Sequence, residues 1–184
     1  MLASEHGMIG LVLELRARSF DLGSADQSGR TAAWLAADQG HCALLTTLIA
    51  RGAAVDAPDR DGQTPLMRSV LAGAPDCVAR AIEAGADINR QTRNGNTALM
   101  LAAESRPGIV MLLLAAGADY EIRNGSSYTA LMLAASEGCV ECVDALSAVR
   151  ERLHVENPLN RLARFLQGRI GPINCSMFRH LLIP

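Results

Sequence analysis

Four stretches of the chain share one pattern of apolar and polar positions. Thr31-Ala-Ala-Trp-Leu-Ala-Ala37, Thr64-Pro-Leu-Met-Arg-Ser-Val70, Thr97-Ala-Leu-Met-Leu-Ala-Ala103 and Thr129-Ala-Leu-Met-Leu-Ala-Ala135 each open on a hydroxyl and continue in mostly apolar residues, Ala and Leu foremost, that favour helix. A turn follows each (Gly40-His41, Gly73-Ala74, Arg106-Pro107, Gly138-Cys139), then a second apolar run such as Ile109-Val-Met-Leu-Leu-Leu114. Three second runs stop at a glycine, in Gly52-Ala53, Gly85-Ala86-Asp87 and Gly117-Ala118-Asp119, the residue that suits the left-handed step past a helix end. Polar turns precede the threonines. Asp26-Gln-Ser-Gly-Arg-Thr31, Asp59-Arg-Asp-Gly-Gln-Thr64 and Thr92-Arg-Asn-Gly-Asn-Thr97 recur every 33 residues, and Asn124-Gly-Ser-Ser-Tyr-Thr129 follows after 32. The pattern predicts a unit of extended turn, helix, tight turn, helix and glycine stop, with each threonine as an N-cap and Pro65 in a first helical turn.

A 33-residue unit of this form closely resembles the ankyrin repeat. The resemblance implies an all-α solenoid of stacked helix-turn-helix units with short hairpin-like turns, in which no unit buries its apolar face alone. It divides the chain into a degenerate N-terminal half-repeat or cap (1–25), repeats at 26–58, 59–91, 92–123 and 124–150, and a C-terminal helical cap or tail (151–184). Departures from the family pattern are specific. Trp34, Met67, Met100 and Met132 fill the usual His position. Repeat three is one residue short and carries Arg106-Pro107-Gly108 at its inter-helix turn, which predicts a local offset. Repeat four has Ser127 in place of the turn glycine.

Composition agrees with helices built on small and aliphatic residues. Aromatics are 3% of 184 residues and AVILMFWYC residues 49%, so an aromatic core is excluded and disorder is disfavoured. No apolar run suits a membrane span, and the first ten residues lack the basic start of a secretory signal. Residues 1–148 carry eleven Arg against seventeen Asp and Glu, a balance of −6, and residues 149–184 a balance of +4. An acidic body argues against nucleic acid as a partner. Every basic residue is Arg, which reads more simply as codon bias than as selection against ubiquitin acceptors. Five cysteines, an odd number in an apolar chain of this size, point to a reducing compartment. An intracellular protein, cytoplasmic or nuclear, is expected, and a monomer.

At the C-terminal side, Leu159, Leu162, Ala163 and Leu166 make a helical stripe after Asn157 and Pro158, with Gly168 as its stop. The stripe fits a cap over repeat four, formed by a helix at 158–167. Leu159, Leu162 and Arg164 are also faintly similar to the SOCS box, and that resemblance implies the alternative of a substrate-receptor subunit recruiting ubiquitin-ligase machinery.

Catalytic constellations are poor. Cys139-Val-Glu-Cys142 has metal or redox spacing, but no second ligand pair and no strand–helix context accompany it. Cys77 and Cys142 fall at a buried position of the repeat and read as core packing. No phosphate loop occurs, and neither a cofactor nor a metal is implied. The expectation is a scaffold that binds another protein and catalyses nothing. The ankyrin resemblance implies that turn tips and inner-helix ends line a concave groove. Carried onto this sequence, the tips are Gln27, Ser28 and Arg30; Arg60, Asp61 and Gln63; Arg93, Asn94 and Asn96; and Tyr128. The inner-helix ends are Asp38, Gln39, Leu71, Glu104 and Glu137. Arg30, Arg60 and Arg93, with Tyr128 and an exposed Leu71, are the residue types that anchor interfaces.

Overall fold

The computed structural model describes residues 21–156. They form eight helices in sequence, namely α1 (Ala32–Asp38), α2 (Cys42–Ala50), α3 (Pro65–Leu71), α4 (Pro75–Glu83), α5 (Ala98–Ala103), α6 (Pro107–Ala115), α7 (Ala130–Ser136) and α8 (Val140–Glu156). Among the described residues β-structure is limited to one antiparallel bridge, between Ala25 and Thr31. Two compact units are distinguished, Met1–Leu146 and Ser147–Pro184. The expected N-terminal cap before residue 21 and the expected helix at 158–167 lie outside the described residues.

Each first helix starts where its threonine dictates. Thr31, Thr64, Thr97 and Thr129 hold extended backbone, and their hydroxyl oxygens accept the N–H of Trp34, Met67, Met100 and Met132 at 3.2–3.4 Å. Entry to the second helices is fixed by backbone instead. The N–H of His41, Ala74 and Cys139 reaches five residues back, to Ala36, Ser69 and Ala134, at 2.8–3.0 Å, across a left-handed glycine. The third unit lacks that residue. There the Arg106 N–H reaches only four back, to Ala102, at 2.9 Å, and α5 has six residues where the other first helices have seven. The expected offset is therefore a lost left-handed step.

First helices α1, α3, α5 and α7 pack in one row, and α2, α4 and α6 in a second. Two hydrophobic clusters result. One joins Ala33, Ala36, Ala37, Leu44, Leu45 and Leu48 to Cys77 of α4. The larger runs from Leu66, Met67 and Val70 through Leu99, Met100, Val110 and Leu113 to Cys142 and Leu146. Position within the array decides the fate of the same side chain. Met67 and Met100 are 1% exposed, whereas the equivalent Met132 is 44% exposed.

The polar turns interlock. In each, the first residue donates its N–H to the carbonyl of the fifth (Asp26 to Arg30, Asp59 to Gln63, Thr92 to Asn96, Asn124 to Tyr128) at 2.9–3.1 Å. Neighbouring tips are then joined, as Arg60 donates to Ser28, Arg93 to Asp61 and Gly125 to Asn94 at 2.8–3.0 Å. Gly95 has φ +79°, and a Cβ there would lie 2.6 Å from the Gly125 nitrogen. Ser127, its counterpart in the fourth unit, takes φ 65° despite its side chain. Gly95→Ala should therefore cost about 1–3 kcal/mol from left-handed strain alone, with the clash added. Ser127→Gly should be neutral or stabilise by up to about 1 kcal/mol. Urea denaturation midpoints of the two variants check both signs.

Candidate partner-binding groove

The tip ladder sets the expected binding residues in register. Arg60 and Arg93 occupy equivalent positions one unit apart, each tied through its backbone to the preceding tip, with exposed side chains. Neither guanidinium pairs with any described side chain, while Asp61 and Asn94 beside them are exposed. Arg30 differs. Its Nε donates to Asp26 Oδ2 at 2.8 Å and its Nη2 lies 2.7 Å from the same oxygen, so it closes its own turn. The Asp26 carboxylate also accepts the N–H of Ser28 and Arg30. The Arg30 hydrogen bond, foremost, holds the Asp26 pKa down at about 2.

Between the first and second units the structure builds a cluster that sequence reasoning missed. The Arg68 guanidinium lies 4.7 Å from the centroid of the Trp34 ring, with that of Arg30 at 5.7 Å. Arg68 donates from Nε to Asp38 Oδ1 at 3.0 Å, makes a short ion pair to the same oxygen from Nη2, and gives Nη1 to Gln63 Oε1 at 2.9 Å. The Trp34 indole N–H donates to the Gln63 carbonyl at 3.1 Å, and the residue is 5% exposed. Asp38 and Gln63, placed separately by the sequence, are thus brought together by Arg68. The signal was available, since Arg68 stands where the other inner helices carry Leu35, Leu101 and Leu133.

Other residues are spoken for or displaced. Asn96 accepts from Asn124 Nδ2 at 2.8 Å, and Gln39 donates to Asp38 at 3.2 Å. Leu71, expected to be exposed, is half-buried, and its carbonyl accepts Arg106 Nη2 at 2.9 Å. Tyr128 is exposed, as is Met132 of the helix it precedes. Glu104 and Glu137 share with Ser105, Pro107 and Gly138 to Glu141 a depression of about 430 Å³.

The cysteines correct the sequence reading. Cys77 and Cys142 are fully buried, as core packing requires, but each is half of a disulfide. Cys42 is joined to Cys77, with Cα atoms 4.7 Å apart, and Cys139 to Cys142 at 5.3 Å. Spacing alone concealed the first pair. Cys42 and Cys77 are 35 residues apart, and stacking one repeat on the next brings α2 and α4 side by side.

Capped helix pairs in two rows, joined by a ladder of turn tips, define a helical repeat protein. Residues 1–92 and 72–157 match the family model described as ankyrin repeats (3 copies), and the chain belongs to the ankyrin repeat family. No curated protein matches it closely enough to count as a relative.

The Asp26 pKa is depressed, so its stabilising effect is present above the unfolded value near 3.8 and is lost as pH falls through about 2. Carboxyl chemical shifts should place its titration near 2 in the native chain and return it toward the ordinary range in Arg30→Gln. A double-mutant cycle on Asp38→Asn and Arg68→Met should give a coupling of about 0.5–1 kcal/mol, reduced by salt.

Proposed function

We propose that the chain is a non-catalytic scaffold that binds another protein through its turn tips and inner-helix ends. The observation that carries this reading is the pair Arg60 and Arg93, held in register by the tip ladder and unpaired among the described side chains. The backbone of each arginine is already fixed, so only the side chain has to order when it engages a carboxylate. Ankyrin repeats are generally protein-interaction modules, which supports a protein as the partner. The exposed surface around these arginines mixes Asp61, Asn94 and Tyr128, chemistry suited to a polar protein face rather than to a phosphate backbone. Asp38, Gln39, Leu71, Glu104 and Glu137 would contribute the inner-helix side of the groove.

The reading extends to a monomer in the cytoplasm or nucleus. Among the described residues no helix is long and apolar enough to cross a membrane. The disulfides set a condition on that compartment, because cytosolic disulfides are mostly transient, catalytic or redox-sensing.

The test is affinity capture with the intact chain, followed by titration of the captured protein. Arg60→Ala should weaken binding by roughly 1–2 kcal/mol with little change in Tm; unchanged affinity in Arg60→Ala and Arg93→Ala together would overturn the groove assignment. A ubiquitin-ligase scaffold captured by the whole chain and lost on truncation to 1–148 would instead support the substrate-receptor alternative.

A further inference from the structure

Cys139-Val-Glu-Cys142 opens the longest helix of the described residues. Cys139 stands immediately before α8 and Cys142 is in its first turn. The Cys142 N–H donates to Cys139 Sγ at 3.3 Å, so the sulfur is held at the positive end of a helix by one of its otherwise unpaired N–H groups. The two halves of the pair differ. Cys139 is half-buried and lines the open depression, whereas Cys142 is wholly enclosed in the core. An incoming sulfur can therefore reach Cys139 alone. Among the described residues the lining of the depression is acidic, with Glu104, Glu137 and Glu141 and no basic side chain.

We propose that Cys139–Cys142 is a thiol–disulfide exchange site, with Cys139 the attacked sulfur, Cys142 the resolving one, and a thiol borne on a cationic group as its co-reactant. The thiolate of the co-reactant attacks Cys139 Sγ. The bond to Cys142 breaks, its electron pair leaves on the Cys142 sulfur, and that sulfur takes up a proton. A mixed disulfide on Cys139 results. A second thiol attacks the co-reactant's sulfur, releasing its disulfide and leaving two thiols on the protein. Two thiols are oxidised and one protein disulfide is reduced, a transfer of two electrons. In the reverse direction, reduced Cys139 is captured by a cationic disulfide, and Cys142 resolves the adduct. The exchange is stoichiometric and does not depend on the groove having a protein partner.

The test exposes the oxidised full-length chain to cysteamine, a cationic thiol, or to glutathione, which carries a net negative charge. Samples are quenched with acid, alkylated and mapped by mass spectrometry. Opening of Cys139–Cys142 should be on the order of tenfold faster with cysteamine at low salt, through attraction to the carboxylates. The difference should shrink at high salt and in the triple variant E104Q/E137Q/E141Q. In Cys142→Ser, which has no bond to open, cystamine (the disulfide of cysteamine) should leave a lasting cysteamine adduct on Cys139, with cysteamine as the leaving thiol. Should that variant not fold, the wild-type map decides alone, since the first adduct must appear on Cys139. An adduct on Cys142, equal rates for the two thiols at low salt, or a Cys139–Cys142 bond that stays closed while Cys42–Cys77 opens would each overturn the proposal.

Discussion

The hydrogen bond that each turn tip sends to the one before it is the constraint on which the array depends. It runs from the second residue of one turn to the third of its predecessor, as Arg93 to Asp61 shows. A bond of that length fixes the spacing of successive units at the tips, and the helices behind must pack at the same interval. Small residues make this possible. Ala33, Ala37, Ala98, Ala102 and Ala103 are fully buried, and bulkier side chains there would push the helices apart while the tips held them together. Glycine in the turn answers the same demand, because the backbone of the next tip occupies the place a Cβ would need.

Much of this was legible in the sequence, for reasons that can be named. Threonine before an apolar run carries both halves of a local signal, a cap and a periodicity, and neither needs tertiary context. The missing residue near Arg106 could be counted, and its effect on the helix end followed from backbone geometry. What escaped notice depended on stacking. Arg68 is an unremarkable charge within its own helix; only the neighbouring unit supplies Trp34, Asp38 and the ring face it covers. Cys42 and Cys77 likewise meet only when two units are superposed. Leu71 looked available because its run ends there, and the long side chain that reaches its carbonyl, Arg106, comes from 35 residues further on.

Charge is handled differently at the two kinds of position. Within a turn, carboxylates serve the backbone. Asp26 and Asp59 each accept two N–H groups of their own loop, which satisfies donors that a tight turn leaves orphaned. At the inner helices, Asp38 is instead committed to a cation on the next unit. The first arrangement is indifferent to what lies alongside. The second joins units through groups that salt and substitution can loosen, and it lies where the two hydrophobic clusters meet.

Trp34 is the single tryptophan of the chain, and its indole lies at that junction beneath two guanidinium groups. Its emission is consequently a local gauge. Intrinsic fluorescence recorded during denaturation follows the parting of the first helix pair from the second, and is blind to the state of α5 to α8. Circular dichroism, which sums over all helices, has no such bias. Coincidence of the two curves would mean that the array melts as one cooperative body. Separation would mean that the end carrying the indole has its own transition, as a one-dimensional chain of nearest-neighbour contacts allows.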